Sequence, residues 1–304
     1  MLDRIVDRGT RIRANRVFAY TRKFFNWCIS RDLIATSPCV GVKPPAEERS
    51  RDRVLSAEEL RLVWLATERQ DWPFGPFVKL LLLTAQRLNE VAGMRWSELD
   101  LDAAMWTLPA ERAKNDKAHH VPLSVQAIAL IRSLPRLDGT DFVFTTTGRT
   151  PISGFGRAKQ RLDETVQTIR REEAEVAGES FDKAAAFPEW RFHDFRRTAV
   201  TGMAEMGIAP HVADRILNHV QGTIRGVAAV YNRHAYLDER RKALQDWPIT
   251  SNGSSGVKPA KLKAMAWTRE SGRRPDVGPL PRSGLMIYLR YRLRRAGAPA
   301  RHGA

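Results

Sequence analysis

One stretch restricts the fold more than any other: Phe74 to Met94 reads as a strongly apolar helix that buries Phe77, Leu80, Leu81 and Leu83 and ends near Arg87. A helix with so little polar surface has to be enclosed by other elements. A buried helix that terminates in an arginine also needs a partner for that charge. Glu90, three residues on, is one candidate and a phosphate is another. The two are compatible if Glu90 orients the guanidinium.

The surrounding sequence supplies the enclosing elements. Ser56-Ala57-Glu58-Glu59 is a capping box that enters a helix through Leu60, Val63, Trp64 and Ala66. Met105 to Pro109 and His119 to Leu123 read as two strands joined by Ala110 to Ala118, which holds Lys114 and Lys117. Ser124 to Leu134 predicts an amphipathic helix, Phe142 to Phe144 a short strand, and Phe155 to Ala177 a charged helix with a solvated face. Gly178 to Pro188 reads as a loop, and Leu237 to Trp247 as a further amphipathic helix. Near the start, Arg13 to Arg31 has helical spacing, with Phe18, Tyr20, Phe24, Phe25 and Trp27 expected to face inward and Arg16, Arg22, Lys23 and Arg31 outward. Several apolar helices around few strands predict a mainly α fold with a small antiparallel β-sheet, an α+β class.

Charge and composition bound the partners. The chain of 304 residues carries a net charge of +16. Twelve Lys and Arg against two acids put ten of those charges in residues 251–304, leaving six for residues 1–250. From Thr250 the composition turns to Ser, Gly, Pro and basic residues, so 250–304 is expected to be a disordered basic tail. Such a tail would add salt-dependent, sequence-independent attraction to DNA rather than a specific site. No run approaches the ~18–20 apolar residues of a membrane span. Two cysteines, Cys28 and Cys39, and a charged N-terminus fit a reduced, cytosolic compartment, and a DNA-associated one given the charge.

The chemistry-bearing residues follow in a fixed order. Arg87 and Glu90 lie in Thr84-Ala85-Gln86-Arg87-Leu88-Asn89-Glu90. Lys114 follows in the hairpin, His193 and Arg196 in Arg191-Phe192-His193-Asp194-Phe195-Arg196-Arg197, His219 after Leu217-Asn218, and Tyr231 in Gly226 to Arg233, which reads as one more helix. Each taken alone has a bland explanation: a solvated helix turn, a turn lysine, a helix-terminal histidine, a core aromatic. Together they resemble the tyrosine recombinase (phage integrase) family. Its pattern is T-G-x-R-x-x-E, a hairpin lysine, H-x-x-R, a G-H pair and a tyrosine nucleophile. The resemblance runs from about Ala14 to Trp247. Ala85 and Asn218 stand where that family usually has glycine, which bears on local backbone geometry rather than on chemistry.

The resemblance implies an integrase-like catalytic core at 54–249 and a linker at 44–53. It also implies a C-terminal remnant of a helical core-DNA-binding domain at 1–43, about half the usual length. It further implies site-specific recombination through a 3′-phosphotyrosine, with no metal or other cofactor. Tyr231 would be the nucleophile, Arg87 and Arg196 the phosphate clamps, and Lys114, with Lys117 as rival, the acid for the 5′ oxygen. His193 would accept or orient the tyrosine proton, His219 would donate to a phosphate oxygen, and Glu90 would support Arg87. Arg16, Arg22, Lys23, Lys117 and Arg197 are expected to touch DNA. Partners would be double-stranded DNA at specific sites, three further copies in a homo-tetramer, and accessory DNA-bending proteins. The alternatives are a truncated, non-recombining DNA-binding remnant, a type IB topoisomerase, or a metal-dependent nuclease using His119, His120, His193 and His219.

Overall fold

The computed structural model describes residues 2–48, 51–181, 187–219 and 234–247. Tyr231, the expected Gly226 to Arg233 helix and the basic tail lie outside these residues.

At the centre is α4 (Phe74–Thr84), in which Phe77, Val78 and Leu80 through Leu83 are all buried. It is enclosed by α3 (Ala57–Glu68), α6 (Val125–Arg132) and α8 (Asp194–Glu205). Ser56 caps α3 as its sequence indicates: its hydroxyl accepts from the Glu59 N–H while the Glu59 carboxylate accepts from the Ser56 N–H. The long helix α7 (Phe155–Ala177) buries Ala158, Leu162, Val166 and Ile169, a stripe at helical spacing, and packs on α3. Arg61–Glu173 and Arg69–Glu172 ion pairs lace the rim of that contact.

The sheet is small and antiparallel, ordered β1 (Leu99–Asp100), β2 (Met105–Leu108), β3 (His119–Pro122). Trp106 pairs with Val121 and both are fully buried, so one face of the hairpin belongs to the core. The fold is therefore the expected helical domain with a minor sheet.

Three local expectations are corrected. The apolar helix does not continue to Met94. It stops at Thr84, Ala85 takes a left-handed conformation (φ 53°), and a separate short helix α5 (Leu88–Ala92) begins after Arg87. Hydrophobicity is continuous through this stretch, so periodicity does not reveal the break. The Phe142 segment forms one bridge, with Arg95, rather than a strand, and β1 is the third strand instead. Finally, α2 (Arg11–Ile29), preceded by the short α1 (Leu2–Asp7), does not turn its aromatic row inward. Phe18 and Cys28 are buried, but Tyr20, Phe24 and Trp27 are 50–72% exposed. What holds α2 to the following segment is polar: the buried Asn15 amide donates to the Ala46 carbonyl (2.7 Å) and accepts from its N–H (2.9 Å).

That segment then reaches the domain body. The Arg51 guanidinium lies 3.3 Å from the Asp194 carboxylate and 3.1 Å from Glu189, and the Leu55 N–H donates to Thr198 Oγ1 (3.0 Å). The last described helix, α10 (Leu237–Asp246), returns to the sheet. Its buried Arg240 donates to the carbonyls of Ala235 and His120.

Candidate active site

The site forms around the C-terminal end of a short helix, α9 (Pro210–Ile216). A helix end leaves its last carbonyls without partners and carries partial negative charge. Here the carbonyls of Ile216, Leu217 and Asn218, at and just past that end, are met by donors from distant segments. The Ile216 carbonyl accepts from Gln86 Nε2 (2.9 Å) and lies 3.2 Å from His119 Nε2. The Leu217 carbonyl accepts from Arg196 (2.6 Å), and the Asn218 carbonyl from Arg87 (3.2 Å). Arg196 also donates to the Ala85 carbonyl (2.7 Å), so the left-handed break after α4 is fastened to the same guanidinium. Arg87, two residues past that break, reaches the Asn218 carbonyl.

The two arginines are held differently. Arg87 is half-buried and paired with the buried Glu90, whose carboxylate accepts from the Arg87 guanidinium (2.9 Å) and from its N–H (3.1 Å). Arg196 is buried and, among the described residues, faces carbonyl oxygens rather than a carboxylate within ion-pair distance. Burial, and then the nearby positive charge of Arg87, push its guanidinium down to about 10. It remains charged at neutral pH, and a buried cation whose described hydrogen-bond partners are neutral carbonyls favours an anion beside it.

Two histidines flank this pair. His193 precedes α8, open to solvent on one side and partly covered on the other. Burial, then Arg196 and Arg197, lower its pKa, which favours the neutral, proton-accepting imidazole at pH 7. His219 follows Asn218; its Nδ1 lies 3.3 Å from Asp214 Oδ1. Burial lowers its pKa, Asp214 opposes that, and Arg196 and Arg87 add to it. Beside His193 the Asp194 carboxylate is fully buried, accepting from the Arg191 N–H (2.8 Å) and from Arg197 (2.7 Å).

Arg87, Glu90, His193, Arg196 and His219 thus gather from separate elements. Lys114 is exposed on the β2–β3 connection, whose next residue, Asn115, bonds to the Asn218 side chain (2.8 Å). Lys117 is exposed on the same connection, and Arg16, Arg22 and Lys23 are exposed on α2. Arg197 is partly engaged by Asp194. Tyr236, the neighbouring tyrosine, packs at a tilt against His211 (4.7 Å between ring centroids) at the first turn of α9, the end opposite the arginines.

Gln86, His119, Asn115 and Asp194 carry weight that their residue types do not announce. His119 is the clearest case. Burial and the Arg240 charge push its imidazole down to about 3, so it is a neutral donor to a helix end. His120 alternates to the opposite face of β3 and meets Thr107. The described residues contain no group of three or more His, Cys, Asp or Glu able to hold a metal ion. No described helix is long and apolar enough to cross a membrane.

Comparison with known proteins bears on the family and the fold. Prophage integrase IntA of Escherichia coli (strain K12) is 32% identical over 167 residues, covering 55% of this chain and 36% of IntA. Prophage integrase IntZ of the same organism is 28% identical over 229 residues, covering 74% of this chain and 52% of IntZ. Tyrosine recombinase XerC of Xanthomonas campestris pv. campestris (strain B100) is 32% identical over 123 residues, covering 39% of this chain and 36% of XerC. The chain therefore spans about half, or less, of the length of these relatives. Among solved structures, a lambda integrase dimer bound to a COC′ core site superposes with a TM-score of 0.53 at 20% identity, covering 74% of this chain and 78% of that one. At that identity the likeness is one of fold. Residues 53–237, more than half of the chain, match the phage integrase family, and the protein belongs to that family of tyrosine recombinases.

Proposed function

We propose that the protein is a site-specific DNA recombinase that breaks and rejoins strands through a 3′-phosphotyrosine. The observation that carries this is the junction of Arg87 and Arg196 at the end of α9, between two histidines held toward neutrality. Both guanidiniums already have backbone anchors, so they can meet the nonbridging oxygens of a phosphodiester with little reorganisation. In the proposed step Tyr231 Oη bonds to phosphorus, the P–O5′ bond breaks, His193 takes the tyrosine proton and Lys114 gives one to O5′. Reversing the step rejoins the strand without ATP, because the phosphotyrosine bond retains the energy. His219 already faces Asp214 through Nδ1, so donation from Nε2 to a phosphate oxygen calls for the imidazolium, which the arriving anion favours.

The substrate is proposed to be duplex DNA at specific sites. A lambda integrase tetramer bound to a Holliday junction has a similar fold, TM-score 0.53, and the same assembly of four copies is proposed here, with accessory bending proteins. Residues 1–43, with Arg16, Arg22 and Lys23, are proposed as part of a DNA-clamping domain. Residues 44–53 are proposed as the linker, 54–249 as the catalytic domain and 250–304 as a basic tail.

A nicked suicide substrate tests the proposal by trapping covalent protein–DNA product. Wild-type protein and Tyr236→Phe are expected to form it, while Tyr231→Phe binds DNA and forms none. Covalent product from Tyr231→Phe would refute the nucleophile assignment. DNA binding by the wild-type protein without covalent product would mark a non-recombining remnant.

A further inference from the structure

Asn218 is one of the two positions where the sequence departs from the family's usual glycine, and the structure shows two separate demands on it. The backbone there is left-handed (φ 51°), a conformation that glycine meets freely and asparagine meets better than other side chains. The side chain then does something glycine cannot. Its Oδ1 accepts from Asn115 Nδ2 at 2.8 Å, and its own Nδ2 donates to Asn115 Oδ1 at 3.3 Å. The two amides form a closed reciprocal pair between the end of α9 and the β2–β3 connection. The Asn218 carbonyl is held by Arg87, so the fixed end of this clasp is part of the phosphate-binding arrangement. At the other end, Lys114, Asp116, Lys117 and Ala118 are exposed. Among the described residues, the amide pair is the side-chain hydrogen bonding that ties 113–118 to the rest of the domain.

We infer that the Asn115–Asn218 amide pair is a positioning device that holds the Lys114 ammonium over the leaving 5′ oxygen. This rests on the recombinase proposal and adds two positioning residues to it. An exposed lysine on a connecting segment samples many positions, and proton transfer requires hydrogen-bond distance. Fastening the adjacent residue to the arginine-bearing end of α9 links the acid to the phosphate clamp and removes most of that freedom.

The test separates a failed proton donor from a damaged fold. Single-turnover cleavage is measured on two nicked suicide substrates, one with the ordinary phosphodiester and one with sulfur in place of the bridging 5′ oxygen. A thiolate leaves without being protonated, so the second substrate bypasses the acid. Lys114→Ala should be slow on the oxygen substrate and restored on sulfur. Asn218→Gly, which relaxes the left-handed backbone, and Asn115→Ala should each lose about tenfold on oxygen, the scale of one or two net hydrogen bonds. Both should stay within about twofold of wild type on sulfur. The double variant should be no slower than either single, since one clasp is lost in each case. The inference falls if Asn218→Gly cleaves the oxygen substrate as fast as wild type, if it slows equally on both substrates, or if sulfur fails to restore Lys114→Ala. A wild-type protein that forms no covalent product on either substrate would overturn the recombinase proposal and this inference with it.

Discussion

The two basic groups on either side of the proposed phosphate position are built in opposite ways. Arg196 is buried and donates to the carbonyls of Ala85 and Leu217, ending two segments that are far apart in sequence. Lys114 is exposed on a connection between strands and is held through its neighbour's amide. Charge stabilisation gains from groups fixed before the reaction, because water-excluded dipoles need no rearrangement as charge develops. A proton donor has to reach the leaving group and recover its proton afterwards, so contact with solvent serves it. The contrast teaches that the proposed phosphate clamp at Arg196 is also a fastening of the fold, whereas the proposed acid, Lys114, sits exposed on a connection.

The largest expected effect comes from breaking the arginine end. Arg196→Ala should slow cleavage by about 10²–10³-fold through unpaired transition-state charge. It should also cost about 2–4 kcal/mol of stability, because buried carbonyls lose charged donors. Arg196→Lys keeps the charge and loses the fork, so it should recover stability more than rate. Denaturant melts run beside single-turnover cleavage would show this; a normal melting curve for Arg196→Ala would break the comparison.

Acid should act on the same end. The His119 pKa is depressed in the fold to about 3. The unfolded chain therefore binds the proton more readily, and stability is complete above about pH 6.5 and is lost as pH falls toward 3. His119→Gln retains an N–H for the Ile216 carbonyl but cannot titrate. Its stability should vary less across that window, by a few kcal/mol. Parallel pH curves for the two proteins would contradict the role given to His119.

A smaller effect is expected at Arg51, which joins the segment after α2 to the buried Asp194 beside His193. Arg51→Ala leaves Asp194 with Arg197 and the Arg191 N–H, so the loss should be about 1 kcal/mol. A loss above about 3 kcal/mol would show that Arg51 is the main counter-ion of Asp194. Smallest of all, Phe24→Ser on the exposed row of α2 should change stability by no more than about 0.5 kcal/mol. A larger loss would mean that the row is covered in solution.

Much of this was legible in the sequence. The capping box at Ser56, the burial of Phe77, Leu80, Leu81 and Leu83 on α4, the charged helix α7, and the paired strands around Trp106 and Val121 are local patterns, and they fold as read. The ordered set of Arg87, Glu90, His193, Arg196 and His219 was visible because residue type and sequence order carry it, and the fold gathers those five. The aromatic row of α2 misled, since helical periodicity identifies a face without saying what that face meets.

By itself, then, the sequence determined the helical class, the capped start of α3, the hairpin and the residues proposed for the site, because these depend on residues near one another in the chain or on chemistry alone. Only the tertiary structure decided how Arg87 reaches the site. A continuous apolar run contains a left-handed break at Ala85, and that break is fastened by a guanidinium more than a hundred residues away. It also decided that Asn218, a departure from the usual glycine, carries a bond to the lysine hairpin. Both depend on which carbonyls and amides are left unpaired once the helices have packed, and no local pattern records that.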